Sequence, residues 1–231
     1  QLGIGWGAAS WGFSTWGTPR PTGVITQNPR IWALDNWGED LIATIVGGKT
    51  YYFDTSAFLV PRNTRATLLA NAPTQSNFMI VSSRDRHLIF LGTETTPGTT
   101  TTYDPMSVLF GSQESITDFI PAATNTAGFQ RLSSGNQLVT AVRTRGDLIL
   151  LTNLSAHSMQ FVGPPYTFSF KQVGTNCGAI SPHAAVEAEN VVYWMSNGGF
   201  FLFDGVVKQI PCSVQDYVYS DIDDEEQGTT Y

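Results

Sequence analysis

The sequence predicts an all-β protein made of about four repeated units, each with the strand content of a β-propeller blade. Only 13% of its 231 residues are charged, about half the usual share of a soluble domain. Gly, Thr and Asn, which favour turns and short strands, are abundant instead. Four segments also repeat the pattern of strand, tight turn and strand, which is typical of repeat folds.

The composition excludes several classes of protein. Hydrophobic residues make up 42% of the chain and aromatic residues 12%, enough apolar surface for a large core, so general disorder is excluded. The net charge of −7 has the wrong sign for a clamp on nucleic-acid phosphates. No apolar run approaches the roughly 18 residues of a membrane span, so no membrane insertion by this segment is expected.

Residues 1–30 are predicted to form an extended arm rich in Trp and Gly. Trp6, Trp11 and Trp16 recur every five residues, a spacing that fits neither the helical period of about 3.6 nor the strand period of two. Three exposed indoles are rare on a monomer. The arm is therefore expected to pack against either a neighbouring subunit or its own domain, which makes the three tryptophans candidates for the subunit interface.

Residues 31–212 are predicted to form the propeller or part of one. Tight turns join four pairs of strands, with Gly47-Gly48 as the clearest turn, since Gly supplies the positive φ of a two-residue hairpin. The pairs are 41–46 with 49–54, 78–82 with 87–91, 137–143 with 147–153, and 191–196 with 200–204. Further strands are predicted at 107–111, 158–163, 167–173 and 206–210, with insertions at 93–102 and 111–135.

The four units are aligned on their more apolar strands, which begin near Thr50, Leu88, Leu148 and Val191. Residues 148–151 and 191–195 are continuously apolar, as expected of central strands packed between two neighbouring blades. In the outer strand at 158–161, Met159 and Phe161 should share one face and Gln160 the other. A β-sandwich would give the same patterns, so it remains the alternative fold.

Residues 213–231 are predicted to form one short helix and an acidic tail. Ser213 is a suitable N-cap with Asp216 three residues later, and apolar residues follow at helical spacing. The acidic run 221–226 follows the helix. Together with the Gln at position 1, it suggests that the segment leads into further chain.

No group of residues predicts catalysis, a cofactor or a metal site. The histidines, His87, His157 and His183, are scattered without the spacing of a zinc site. Propellers can host paired carboxylates, but Asp caps turns so often that a structural role is expected for Asp54, Asp104, Asp118, Glu187 and Asp204. Cys177 and Cys212 lack a close partner in sequence, and both a disulfide and two free thiols remain open.

Four strings in the sequence resemble a family of bacteriophage tail proteins, the nozzle or tail-hub proteins of short-tailed phages, also called packaged-DNA stabilisation proteins. The strings are PRIWALDNWGED at 29–40, TNTAGFQRLSSG at 124–135, SMQFVGPPY at 158–166 and GTNCG at 174–178. The resemblance extends from about Trp6 to Ile222. None of the strings carries a known chemical mechanism.

The resemblance implies a non-enzymatic virion component. In such a tail, a hexameric ring of propeller subunits lies below the portal and adaptor, beside tail fibre or spike proteins. It retains the packaged DNA and conducts it through the lumen on ejection, without specific binding. The alternative function is a propeller that binds or cleaves host-surface glycans, for which Tyr51, Tyr52 and Tyr193 are candidate aromatic residues.

Overall fold

The computed structural model describes residues 31–56, 65–82 and 84–222. The arm at 1–30, with Trp6, Trp11 and Trp16, and the acidic residues 223–231 lie outside the described residues. The described part of the chain is nearly all β, with four antiparallel sheets of four strands each. The predicted all-β class is therefore confirmed, while no sheet closes on itself.

Each sheet is formed by four consecutive strands paired in chain order. Sheet I contains β1 Trp32–Trp37, β2 Asp40–Ile45, β3 Thr50–Phe53 and β4 Thr67–Leu68. Sheet II contains β5 Ser76–Ser82, β6 His87–Glu94, β7 Tyr103–Phe110 and β8 Gly128–Arg131. Sheet III contains β9 Leu138–Arg143, β10 Leu148–Thr152, β11 Ser155–Gly163 and β12 Thr167–Thr175. Sheet IV contains β13 Ala185–Ala188, β14 Val191–Ser196, β15 Gly199–Phe203 and β16 Val207–Ile210.

All four predicted hairpins are present, because each is determined by local turn chemistry. They correspond to the pairs β2–β3, β5–β6, β9–β10 and β14–β15. The alignment of the first unit was wrong: Thr50 begins the third strand of its sheet, whereas Leu88, Leu148 and Val191 lie in second strands. The predicted insertion at 111–135 also contains β8, the fourth strand of sheet II.

The sheets pack against one another in chain order through three apolar cores. Sheets I and II share a core that includes Trp37, Ile42, Met79 and Phe90. Sheets II and III share a core that is formed from Ile80, Ile89, Leu91, Leu138, Leu150 and Met159. Sheets III and IV share a core that is formed from Ile149, Leu151, Val192, Trp194 and Phe203.

Position in this stack decides which strands are buried on both faces. All residues of β6 and β10 are buried, since sheets II and III each have a neighbour on both sides, as predicted for 148–151. The same prediction for 191–195 was wrong: β14 alternates and leaves Tyr193 37% exposed, because among the described sheets only sheet III packs against sheet IV. The predicted alternation in β11 is confirmed, with Met159 buried and Gln160 exposed.

The predicted short helix is present as α1, Gln215–Ser220, but its N-cap is Val214 rather than Ser213. Tyr219 of this helix contacts the ring of Phe200 and donates a hydrogen bond to the carbonyl of Ser196. In the described part of the chain, no helix is long and apolar enough to cross a bilayer.

Cys177 and Cys212 are both free thiols. Cys177 is fully buried, and this burial raises the pKa of its thiol. Of the two possibilities left open by the sequence, the structure therefore shows unpaired cysteines.

Candidate functional site

The first strands of the four sheets line one cavity of about 310 Å³. Strand β1 lies beside β5, β5 beside β9, and β9 beside β13. The lining includes Leu34, Phe78, Thr140, Arg143 and Val186. A second cavity of about 360 Å³ lies at the beginning of the same strands and is lined by Asn77, Gln137 and Asn197. The central surface of the protein is thus formed jointly by all four sheets.

Asp35 ties three of the sheets together beside this cavity. Its carboxylate accepts hydrogen bonds from the backbone N–H of Asn36 at 2.8 Å and of Val81 at 2.7 Å. It also accepts a hydrogen bond from the guanidinium of Arg143, which completes an ion pair between sheets I and III. Asp35 is buried, and these three donors satisfy the oxygens of its carboxylate.

The other ionisable side chains that line the cavity are Glu187 and the exposed His183. The Glu187 carboxylate accepts a hydrogen bond of 2.6 Å from the backbone N–H of Asn190 in the following turn. This is the turn-capping role predicted for that carboxylate.

The other four candidate carboxylates also have structural partners. Asp104 forms an ion pair of 2.6 Å with Arg131, and Asp204 forms one of 2.6 Å with Lys208. Asp118 accepts a hydrogen bond of 2.9 Å from Asn125, and Asp54 accepts one of 2.9 Å from the N–H of Ser56. They are distributed over sheet and loop ends, and the structure does not bring them together into a catalytic pair.

Two histidines are buried between strands rather than presented to solvent. His87 is fully buried against Phe161 and Phe168 of sheet III, and its Nε2 lies 3.1 Å from the hydroxyl of Thr126. Its Nδ1 has no hydrogen-bond partner among the described residues. Burial lowers the pKa of His87, although Asp85 and Glu114 act in the opposite direction. Burial thus favours the neutral form of His87, whose ring packs at the junction of sheets II and III.

Ser155 and His157 form a contact that could be mistaken for a nucleophilic pair. Ser155 Oγ lies 3.0 Å from His157 Nε2, but it donates its proton to the carbonyl of Ser134 at 2.8 Å. His157 must then donate to the serine rather than accept from it, which is the reverse of nucleophile activation. Ser155 is fully buried, so this contact holds β11 against the loop before β9.

Asp40 and Tyr52 form a hydrogen bond across sheet I. The phenol donates to the carboxylate, which lowers the pKa of Asp40 and raises the pKa of Tyr52 to about 12. Asp40 also accepts a hydrogen bond from the N–H of Thr55 at 3.0 Å. Its carboxylate therefore fixes the hairpin and the segment that follows it.

Two of the strings that carry the family resemblance are explained by contacts between distant segments. Asp35 and Asp40 belong to the string at 29–40. In the string at 124–135, the Thr126 hydroxyl lies near His87 and accepts a hydrogen bond of 2.8 Å from the N–H of Gln113, while its carbonyl accepts one of 3.2 Å from Thr167. The hydrogen bonds of these residues hold sheets and loops in place.

The string at 174–178 belongs to the linker between sheets III and IV and holds this linker against both sheets. The N–H of Cys177 donates to the carbonyl of Leu154 at 3.0 Å, and its own carbonyl accepts from the indole of Trp194 at 2.6 Å. A Cβ on Gly178 would lie 2.1 Å from the carbonyl carbon of Asn153. Only Gly permits this close approach of the two backbones.

The aromatic residues considered for glycan binding do not share a surface. Tyr51 lies beside Trp32 on one side of sheet I, with ring centroids 6.2 Å apart, whereas Tyr52 points to the core on the other side. Tyr193 lies on sheet IV. In the described residues, no group of three or more His, Cys, Asp or Glu side chains could hold a metal ion.

Comparison with known proteins does not assign a family to the chain. No family model matches the sequence, and no curated protein matches it either. A structural similarity exists to a protein of Bacteroides fragilis that is named a putative exported protein, with 9% sequence identity and a TM-score of 0.44. The aligned region covers 86% of this chain and 56% of that chain, so this chain spans little more than half the length of that protein.

The sequence analysis did not predict that Asp35 links three sheets, although the position of this residue in β1 gives one indication. Asp35 lies between Ala33 and Trp37 on the face of β1 that alternation predicts to be buried. An acidic residue at a buried position requires donors. Its partners Val81 and Arg143 are 46 and 108 residues away, so they could not be identified without the fold.

Proposed function

We propose that the chain is a structural, non-enzymatic subunit of a bacteriophage tail nozzle or hub, in which the four sheets are blades of a β-propeller. Six copies form a ring below the portal and adaptor, in contact with tail fibre or spike proteins. The ring retains the packaged DNA in the virion tail and conducts it on ejection.

One observation carries the propeller proposal: four consecutive four-stranded sheets stack in chain order, and their first strands line one cavity. Blades of a propeller are four-stranded antiparallel sheets arranged in this manner around a central channel. A β-sandwich would consist of two sheets that bury one face each. Sheets II and III are packed on both faces, which favours the propeller.

The structural role is supported by the fact that the polar side chains form hydrogen bonds and ion pairs within the fold. Asp35, Asp104, Glu187 and Asp204 accept hydrogen bonds or ion pairs that fix turns and sheet junctions. His87 and His157 are buried, and burial lowers the pKa of both side chains. These side chains stabilise the fold, and none is left free to act on a substrate.

The charge of the chain supports a role as a conduit for DNA. A surface with few cations and a net charge of −7 repels phosphate backbones and releases no counterions on contact. DNA can then move past the subunit without being held.

Mass photometry together with negative-stain electron microscopy of the purified chain tests this function. We expect particles of six copies that form rings with a central opening. A population that consists only of monomers at micromolar concentration would contradict the proposal. Degradation of host polysaccharide by the purified chain would also contradict it and would favour the glycan-active alternative.

A further inference from the structure

The second cavity, at the beginning of the first strands, is lined by amide side chains; we call it the amide cavity. Its amides belong to four residues: Asn77, Gln137, Asn153 and Asn197. Its apolar walls include Val46, Val139 and Ile180. The volume of about 360 Å³ falls within the range of roughly 300–1,000 Å³ that is usual for small-molecule sites.

Asn77 is buried in the wall of this cavity, and its amide is held in one orientation. Its Nδ2 donates to the carbonyl of Leu138 at 3.3 Å, and its Oδ1 accepts from the hydroxyl of Tyr103 at 3.1 Å. On the neighbouring β6, Gly92 leaves room for the amide, because a Cβ there would lie 2.3 Å from Nδ2. A primary amide carries two N–H donors, so one N–H of Asn77 has no acceptor among the described residues.

Asn153 presents a second fixed donor. Its Oδ1 accepts hydrogen bonds from the backbone N–H of Asn136 at 2.9 Å and of Gln137 at 3.3 Å. These two donors require an oxygen, so the amino group lies at the other end of the amide, where no described residue accepts from it. Asn153 therefore lines the cavity with unused hydrogen-bond donors.

The other two amides are adaptable. Gln137 and Asn197 are exposed, and their side chains form no hydrogen bond with the described part of the chain. A free amide can rotate to donate or to accept. The amide cavity thus combines two preset donors with two amides that can adjust to a ligand.

This lining selects a neutral ligand with several hydroxyl groups. None of the described residues that line the cavity is ionisable, so a charged ligand would lose its hydration without gaining a counter-ion. A wholly apolar ligand would displace water and leave the N–H groups of the amides unpaired. A sugar ring satisfies both conditions, because its hydroxyls donate and accept while its C–H groups pack against the apolar walls.

We propose that the amide cavity binds a neutral saccharide. The free N–H groups of Asn77 and Asn153 donate to its hydroxyl oxygens, and Gln137 and Asn197 bind it from the exposed rim. The saccharide is bound without being cleaved: hydrolysis of a glycosidic bond uses a pair of carboxyl groups, and none of the described residues that line the cavity carries one.

Saturation-transfer difference NMR of the purified full chain tests the inference. The neutral probes are the methyl glycosides of glucose, galactose, mannose and N-acetylglucosamine, and the charged counterparts are those of glucuronic and galacturonic acid. We expect saturation transfer to at least one neutral probe, and at least about tenfold weaker binding of both acids. Absence of transfer to all neutral probes, or equally tight binding of an acid, would overturn the inference.

A double variant locates the site. Gln137→Leu/Asn197→Leu removes the two amides that have no structural partner, so the sheets should be retained on circular dichroism. The dissociation constant of the bound glycoside should rise at least about fivefold. Gln160→Leu is the matched control, since Gln160 is an exposed amide on β11 outside the cavity, and it should bind like the unaltered chain. Equal binding by the double variant and the control would place the saccharide elsewhere and overturn the inference.

These outcomes are separate from those of ring assembly, because the amide cavity lies within one copy of the chain. A ring that binds no saccharide would overturn this inference and leave the proposed function intact. A monomer that binds a saccharide would overturn the proposed function and support this inference.

Discussion

At the scale of single residues, Asp35 is the side chain on which most of the sheet packing depends. It is buried and accepts hydrogen bonds from sheet II and from Arg143 of sheet III. Replacement by Ala would leave the N–H of Val81 buried without an acceptor and the guanidinium without its counter-ion. We expect Asp35→Ala to lower the free energy of unfolding by about 2–4 kcal/mol, measured by urea denaturation.

Two further variants control this prediction. Asp35→Asn keeps an acceptor for Val81 and loses only the charge, so its loss of stability should be intermediate. Asp204→Ala removes an exposed ion pair with Lys208 and should cause no comparable loss. An Asp35→Ala protein as stable as the unaltered chain would show that the tie does not hold the sheets.

Gly178 gives a second prediction at this scale. An added Cβ would lie 2.1 Å from the carbonyl carbon of Asn153 and 2.2 Å from the nitrogen of Leu154, and backbone atoms cannot move aside as a flexible side chain can. Gly178→Ala should therefore lower the free energy of unfolding by at least about 2 kcal/mol. Gly146→Ala, whose Cβ would meet nothing within 4 Å, should change stability little; equal effects of the two variants would contradict the close approach.

These residues show why the site could be predicted only in part. The turn-capping roles of Glu187 and Asp204 depend on neighbours three and four residues away, so residue type and position were sufficient. The partners of Asp35, Thr126 and Gly178 lie on other sheets or loops, and these contacts exist only once the sheets have stacked.

At the scale of the element, the same distinction between local and distant determinants explains which strands were predicted. The β2–β3 and β14–β15 hairpins were predicted because Gly and Asn at the turn and apolar runs beside it are local signals. β1, β4, β8 and β13 were missed. Most residues of β4, β8 and β13 are exposed, so these three strands carry no apolar run, and β8 follows a long loop after β7. The apolar residues of β1 are separated by Asp35 and Asn36.

The junction between sheets II and III should weaken in acid because of His87. Burial lowers the pKa of His87 below its ordinary value of 6.5, so the folded protein binds fewer protons there than the unfolded chain. This contribution to stability is fully present above pH 6.5 and is lost as the pH falls through the lowered value. The free energy of unfolding should therefore decrease between pH 7.5 and pH 5.5.

Variants separate this effect from the titration of carboxylates. His87→Phe keeps an aromatic ring against Phe161 and Phe168 and removes the titrating group, so the decrease over this range should be smaller. His157→Phe should act in the same direction, since burial also lowers the pKa of His157, and the double variant should show the smallest decrease. A pH dependence that is the same in all four proteins would rule out this origin.

At the scale of the whole molecule, the net charge of −7 predicts that the assembled protein does not retain duplex DNA. Fluorescence anisotropy with a labelled duplex at physiological salt should give a dissociation constant weaker than about 100 µM, the weak end of non-specific binding. Tight binding that falls steeply with added salt would indicate a cationic lumen and would contradict the conduit role.

Residues 1–30, for which the sequence predicts an arm, give a further prediction for the assembly. Deletion of residues 1–20, which removes Trp6, Trp11 and Trp16, should shift the oligomer towards smaller species on size-exclusion chromatography. The circular dichroism of the sheets should be retained. Replacement of the three tryptophans by Ser should have the same effect if the indoles are the anchors; unchanged ring formation in both variants would refute their interfacial role.

We propose that the chain is a ring-forming structural protein in which the four sheets of each copy surround one cavity. Single-particle electron microscopy of the assembled chain, at a resolution that separates sheets, tests it most directly. We expect a ring of copies in which, within each copy, sheets I to IV follow one another around that copy's own cavity with β1, β5, β9 and β13 innermost. Isolated monomers, or particles whose first strands lie away from that cavity, would contradict it.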